Sequence, residues 1–275
     1  MIIKNPSNDK FDIIIVAGQS NALGCGVGET KNSFVKNDKI FMLNEDFTAD
    51  FVDDELKMTN TGICYLEIAD ERVENGEKKA SFTLSFASKY AKNHLIAGRK
   101  LLLVQTAVGG TGFARHHWGE NESLTVRMFE MVEQALKMNS ENKIVAVLWH
   151  QGEHDMFRNK ELNYNERYDF YYNKLYTFIK NLRDKYGKVP FISGGFCPTW
   201  MAQNERENVD AILDVYKKLD ATIENFAFVY KTEDLKCNFQ SINKGGDYVH
   251  FCRDSSYKLG RRYYKEYVKL QSKNL

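Results

Sequence analysis

Six short apolar runs, at residues 12–16, 39–43, 100–105, 143–149, 190–193 and 226–230, alternate with longer stretches whose apolar residues recur at helical spacing. Runs this short read as buried strands, and their alternation with helices is the pattern of βα units around a parallel sheet. Phe82, Phe86, Tyr90 and Ile96 share roughly one helical face, with Gly98 placed as a C-terminal cap. Leu124, Met128, Met131, Ala135 and Met138 repeat that spacing, as do Tyr168, Tyr171, Leu175, Phe178, Leu182 and Tyr186 ahead of Gly187. Residues 209–219 form another such stretch, and Leu259, Tyr263, Tyr267 and Leu270 mark the last. These stripes are expected to face a core, and they account for part of an aromatic content of 13%.

The chain has 275 residues, no internal repeat and no linker-like segment, so residues 1–275 are expected to form one α/β domain. Its 38 Lys and Arg against 37 Asp and Glu give a net charge of +1, without the basic excess of a nucleic-acid binder. No apolar run approaches the ~20 residues of a membrane span. The stretch at 13–17 is also too short for a signal-peptide core. Cys25, Cys64, Cys197, Cys237 and Cys252 are odd in number, scattered and free of any C-x-x-C pair, which favours reduced thiols, a cytoplasmic protein and no structural zinc. The oligomeric state is left open. The near-zero charge conceals a segregation: residues 45–77 hold eleven acidic residues, Asp53 and Asp54 among them, against Lys57 and Arg72, whereas the stretch from Arg253 onward holds seven basic residues against Asp254 and Glu266. These are either two solvated faces or patches that meet within the fold or between copies of the chain.

Chemistry-bearing residues concentrate in four loops, three of them at predicted strand ends, where open α/β sheets place their sites. Gly18-Gln19-Ser20-Asn21 follows the first strand, and Gly109-Gly110-Thr111-Gly112 follows the third. His150-Gln151-Gly152-Glu153-His154-Asp155 follows the fourth, and Asp247-Tyr248-Val249-His250 precedes the last helix. Together they supply what acyl transfer to a serine requires: a hydroxyl (Ser20), an imidazole (His250), a carboxylate to orient it (Asp247) and oxyanion donors at Ser20 N–H, Gly110 N–H and the Gln151 amide. Gln19, Asn21 and Glu153 stand as supporting residues, Glu153 also competing with Asp247 to orient the histidine. Trp118, with Thr111 and Arg115 nearby, is placed either at the pocket wall or in the core. His150, Glu153 and His154 also spell H-x-x-E-H, the signature of a metal-dependent hydrolase; that motif requires a helix, whereas His150 ends a strand-like run and Gly152 interrupts the spacing. A catalytically silent carbohydrate-binding protein is the remaining alternative. Gly24, Gly26 and Gly28 lack dinucleotide-fingerprint spacing.

The four motifs in this order resemble the SGNH (GDSL-like) hydrolase superfamily, and within it the sialate O-acetylesterase and acetylxylan esterase group, carbohydrate esterase family six. The resemblance extends from residue 13 to about residue 262. It implies a three-layer α/β/α sandwich on a flavodoxin-like parallel sheet and a cofactor-free serine esterase that removes acetyl groups from carbohydrate. It also implies Ser20 as nucleophile, His250 as general base, Asp247 as its partner, and Gly110 and Gln151 as oxyanion donors. Two features depart from the family's pattern, His154 between Glu153 and Asp155 and the acidic stretch at 45–77.

Overall fold

The computed structural model describes residues 1–52, 55–158, 161–243 and 245–273; Asp53 and Asp54 of the acidic stretch lie outside them. In chain order the strands are β1 (Ile2–Lys4), β2 (Lys10–Gly18), β3 (Ile40–Val52), β4 (Glu55–Ile68), β5 (Arg72–Glu74), β6 (Glu77–Lys79), β7 (Arg99–Gln105), β8 (Lys143–His150), β9 (Phe191–Gly194) and β10 (Phe226–Val229). The helices are α1 (Ser20–Leu23), α2 (Phe82–Asn93), α3 (Ser123–Lys137), α4 (Glu153–Phe157), α5 (Tyr164–Tyr186), α6 (Pro198–Gln203), α7 (Arg206–Thr222), α8 (Asn238–Ile242) and α9 (Arg253–Lys273).

Eight strands form the main sheet in the order β1-β4-β3-β7-β2-β8-β9-β10. β2 is central because it is apolar on both faces. Ile13, Ile15 and Ala17 pack with residues of α3, α5 and α7, while Ile14 and Val16 pack with residues of α2 and α9. Alternation along a strand thus builds two cores and three layers, α/β/α. β3 and β7 lie to one side of β2 and β8, β9 and β10 to the other. The crevice at the carboxyl end of β2, between β7 and β8, is therefore the topological switch point where such sheets bind ligands.

The sheet is mixed where the sequence predicts a parallel one: β4 runs antiparallel to β3, and β1 pairs parallel with β4. Gly98 lies beyond the end of α2, whose C-cap is His94, and Ile96 is exposed outside that helix. The acidic stretch forms two hairpins, β3–β4 and the small β5–β6 sheet. β3 pairs with β7 only over Ile40–Leu43; beyond that point it pairs only with β4, and the two continue as a ribbon. The ribbon is tied down by a buried Glu45–Arg127 ion pair, with the Arg127 guanidinium 3.9 Å from the Phe47 ring centroid. The acidic and basic segments do meet within the fold: both Arg253 Nε and Nη2 donate to the Glu71 carboxylate, at 2.7 and 2.6 Å, and Tyr257 OH donates to it at 2.5 Å. Among the described residues no helix is long and apolar enough to cross a membrane.

Candidate active site

The site begins where β2 passes β8. Gly18 has φ +118°, and a Cβ there would lie 2.1 Å from the carbonyl oxygen of His150, so only glycine allows the two backbones to approach this closely. Gln19 N–H then donates to His150 O at 2.9 Å and the chain turns into α1 with Ser20 as its first residue. The leading amides of a helix have no intrahelical acceptor, which leaves the Ser20 N–H available to a ligand. The Gly109–Gly110 turn lies alongside: a Cβ on Gly109 would be 3.7 Å from Ser20 Cβ. Gly110 takes φ +69°, and the space a Cβ would need is bounded at 3.1 Å by the ring of Phe51, near the tip of the acidic ribbon. That ring also meets His117 edge-on, with centroids 5.9 Å apart.

Buried polar side chains hold these loops in register. Gln19 Oε1 accepts from the backbone of Gly152 and His154 and from the Gln151 amide, at 3.4, 3.2 and 3.3 Å. Asp155 is buried and accepts from the backbone amides of Phe113 and Ala114 at 3.1 and 2.7 Å, fixing the stretch that follows the glycine turn. Burial pushes its carboxyl up to about 6, against the Ala114, Gln151 and Phe113 donors that favour its charge. Gln151 Nε2 donates to Asp155 Oδ2 at 2.6 Å, its Oε1 accepts from Tyr171 OH at 2.9 Å, and the residue is fully buried. The structure thus corrects the expectation that the Gln151 amide faces an oxyanion: its donors are drawn to a carboxylate four residues on, and it braces the loop.

In the loop before the last helix, His250 Nδ1 lies 2.9 and 3.0 Å from the two oxygens of Asp247. The short loop brings them together, with His250 N–H also donating to Asp247 Oδ1 at 3.2 Å and Asn238 Nδ2 to Oδ2 at 2.8 Å. Burial works to raise the Asp247 pKa, but His250 and Asn238 outweigh it and hold the carboxyl below the usual aspartate range. Glu153, the competing carboxylate, is directed elsewhere: its Oε1 accepts from Asn21 Nδ2 at 2.7 Å and faces His150 Nε2 at 3.0 Å. Burial works to raise the Glu153 pKa, yet His150 and Asn21 keep it below the usual range. His150 Nδ1 in turn faces Tyr263 OH at 3.0 Å. Both nitrogens of His150 are engaged, so the H-x-x-E-H residues do not present a set of metal ligands.

Asn21 ties the Ser20 turn to the Glu153 and His250 loops. Besides Glu153, its Nδ2 reaches Val249 O at 3.2 Å and its Oδ1 accepts from Phe251 N–H at 3.1 Å, gripping the chain on both sides of His250. Asn21→Ala is expected to lower kcat on an aryl acetate about 10–100-fold and to cost about 1–3 kcal/mol of stability by orphaning Phe251 N–H and one Glu153 bond. Steady-state kinetics and urea unfolding of that variant check both numbers, and a wild-type kcat would remove Asn21 from the positioning network.

Ser20, Gly109, Gly110, Glu153, His154 and His250 line one cleft of about 450 Å³. Its other walls come from Leu23, Cys25, Arg72, Glu74, Phe157 and Trp200. Trp118 is not among them: it is fully buried, donates its indole N–H to Thr111 Oγ1 at 3.0 Å and packs edge-on against Trp149. Trp118 thus takes the core alternative, while Thr111, which is likewise buried, and Arg115, which is exposed outside the cleft lining, are corrected as pocket residues. Trp200 is the tryptophan at the cleft, edge-on to Phe157 with centroids 6.1 Å apart. It follows β9, a strand end that the rule applied to the other loops would also have selected.

An α/β/α sheet carrying a serine after its first central strand, a glycine turn beside it and an Asp–His pair before the last helix defines an SGNH-type hydrolase fold. The sequence pattern of the carbohydrate esterase, sialic acid-specific acetylesterase family matches residues 10–269. The chain belongs to that family, a family of acetyl-ester hydrolases acting on carbohydrate. Among solved structures, NanS is similar over 97% of this chain and 99% of its own, with 17% identity and a TM-score of 0.71. A protein from Arabidopsis thaliana is similar over 95% and 98%, with 19% identity and a TM-score of 0.66. A carbohydrate acetylesterase from Xanthomonas citri is similar over 92% of this chain and 54% of its own, with 13% identity and a TM-score of 0.56. No curated protein matches the chain by sequence.

Proposed function

We propose that the protein removes acetyl groups from a carbohydrate, sialic acid being the first substrate class to test, by a Ser20–His250–Asp247 mechanism. The observation that carries this reading is that Ser20, beside the Gly109–Gly110 turn, and His250, braced on Asp247, line one cleft of about 450 Å³. Ser20 Oγ attacks the ester carbonyl while His250 Nε2 takes its proton. Asp247 stabilises the imidazolium through Nδ1. The oxyanion is held by the N–H groups of Ser20 and Gly110, with Gln151 and Asp155 fixing the loops that carry them. As the tetrahedral intermediate collapses, His250 protonates the departing sugar oxygen, which leaves as the free hydroxyl. The imidazole next draws a proton from water, which attacks the acetyl-enzyme to release acetate and restore Ser20.

Acetate release from an aryl acetate and from a panel of O-acetylated sugars tests this reading. Asp247→Asn preserves the shape of the pair but favours the wrong imidazole tautomer, so kcat is expected to fall by about 10³–10⁴. Sugar binding without acetate release by the wild-type protein would favour a silent binding protein instead.

A further inference from the structure

Beside the catalytic cleft lies a larger cavity of about 670 Å³ between the edge of the main sheet and the β5–β6 hairpin. The two spaces share Leu23 and Arg72 as walls. Leu23 is one helical turn beyond Ser20 on α1 and so on the same face as the serine. Arg72 is pinned between them: its Nε and Nη2 donate to Gly24 O at 3.4 and 3.1 Å, and its Nη1 pairs with Glu74 at 2.8 Å. Leu23 and Arg72 thus form the rim common to both spaces, and a ligand with its ester at Ser20 has only this rim to cross to reach the cavity.

We propose that this cavity is a second sugar subsite, which takes a neutral, hydroxyl-rich residue attached to the acetylated sugar. The inference rests on the carbohydrate-esterase reading and adds that the substrate is a glycoside rather than a single sugar. The lining brings cationic groups close to carboxylates. Lys36 lies 3.7 Å from Asp70, Lys79 lies 2.9 Å from Glu77, and Arg72 is paired with Glu74. Glu71 is held by Arg253 at 2.6 Å, so among the described residues every lining charge but Glu67 is paired, and the wall has little pull on an anionic ligand while still presenting donors and acceptors side by side. A hydroxyl, which both donates and accepts, fits such a wall better than a pure donor or acceptor does. Leu23 and Met42 add apolar surface for the C–H face of a ring. The volume falls within the ~300–1,000 Å³ of small-molecule sites.

Glu67 is exposed on β4, lines this cavity and is absent from the cleft around Ser20, so Glu67→Trp fills the cavity without touching the reacting groups. Free sialic acid and its lactose glycoside, sialyllactose, are titrated into Ser20→Ala protein with and without Glu67→Trp. Sialyllactose is expected to bind about tenfold or more tighter than the free sugar to Ser20→Ala, and Glu67→Trp is expected to abolish that difference. Glu67→Trp alone should hydrolyse an aryl acetate within about twofold of wild type, which shows that it folds. Equal affinities for the two sugars, or a preference that survives Glu67→Trp, would overturn the subsite. If the preference behaves as expected but wild-type protein cleaves no acetyl ester, the subsite stands and the esterase reading fails.

Discussion

Ser20→Ala is expected to reduce kcat/KM on an aryl acetate by about 10³-fold or more while leaving the thermal midpoint within ~2 °C of wild type. The large loss follows from the way a nucleophile and its base act as a unit. Without the hydroxyl, His250 has no proton to take, and the Asp247 carboxylate that braces it at 2.9 Å has nothing left to support. The small thermal change follows from the role of the side chain, because what fixes this turn is the backbone, through Gln19 N–H on His150 O and Gly24 N–H on Ser20 O. On the proposed mechanism some catalysis remains in Ser20→Ala, since the oxyanion N–H groups assigned to Ser20 and Gly110 belong to the backbone and survive the substitution. Circular dichroism melting together with initial-rate kinetics separates the two effects. Near-wild-type turnover in folded Ser20→Ala protein would overturn the mechanism.

Gly18→Ala is expected to act in the opposite way, through the fold. The added methyl would lie 2.1 Å from His150 O and 2.7 Å from His150 C, both backbone atoms of a central strand, and φ +118° is strained for any residue with a Cβ. Relief requires β2 and β8 to separate at the point where both strands deliver site residues. Backbone strain of about 1–3 kcal/mol and overpacking of about 1–3 kcal/mol combine to a destabilisation of about 3 kcal/mol or more. In a chain of this size that corresponds to a fall of about 6–12 °C in Tm. Activity falls as well, because Ser20 and the His150–Asp155 loop move apart. A variant with wild-type Tm would mean that the strands relax at no cost, which a close-packed sheet centre does not allow.

The sequence made β2, β7 and β8 legible because their residues are apolar on both faces, a demand only a covered sheet makes. It did not reveal β4: Glu-Leu-Lys-Met-Thr alternates as a half-exposed strand does, but the run is short and the Asn-Thr-Gly that follows breaks the alternation, so the strand carries no continuous apolar signal. The ribbon it forms with β3 is held by long-range contacts, Glu45 to Arg127 and Phe51 to Gly110, that no local pattern announces. The site divides in the same way. Asp247 and His250 are three residues apart, so one turn sets their geometry and spacing alone points to the pair. Gln151 shows the limit of such reading: its place after β8 follows from the motif, but the aim of its amide depends on a competition that Asp155 wins through proximity. For Trp118 the loop position is right, yet its indole turns inward to Thr111 and Trp149, and Trp200 reaches the cleft from the short helix α6, which carries no accompanying motif.

Covalent labelling tests the central claim most directly. A fluorophosphonate, which reacts with a serine only when a neighbouring base activates it, is incubated with the protein, and the adduct is located by peptide mass spectrometry. One adduct per chain is expected, on Ser20, with activity lost in proportion to labelling and with no adduct in His250→Ala protein. Labelling of a different residue, or full activity in protein labelled at Ser20, would contradict the account.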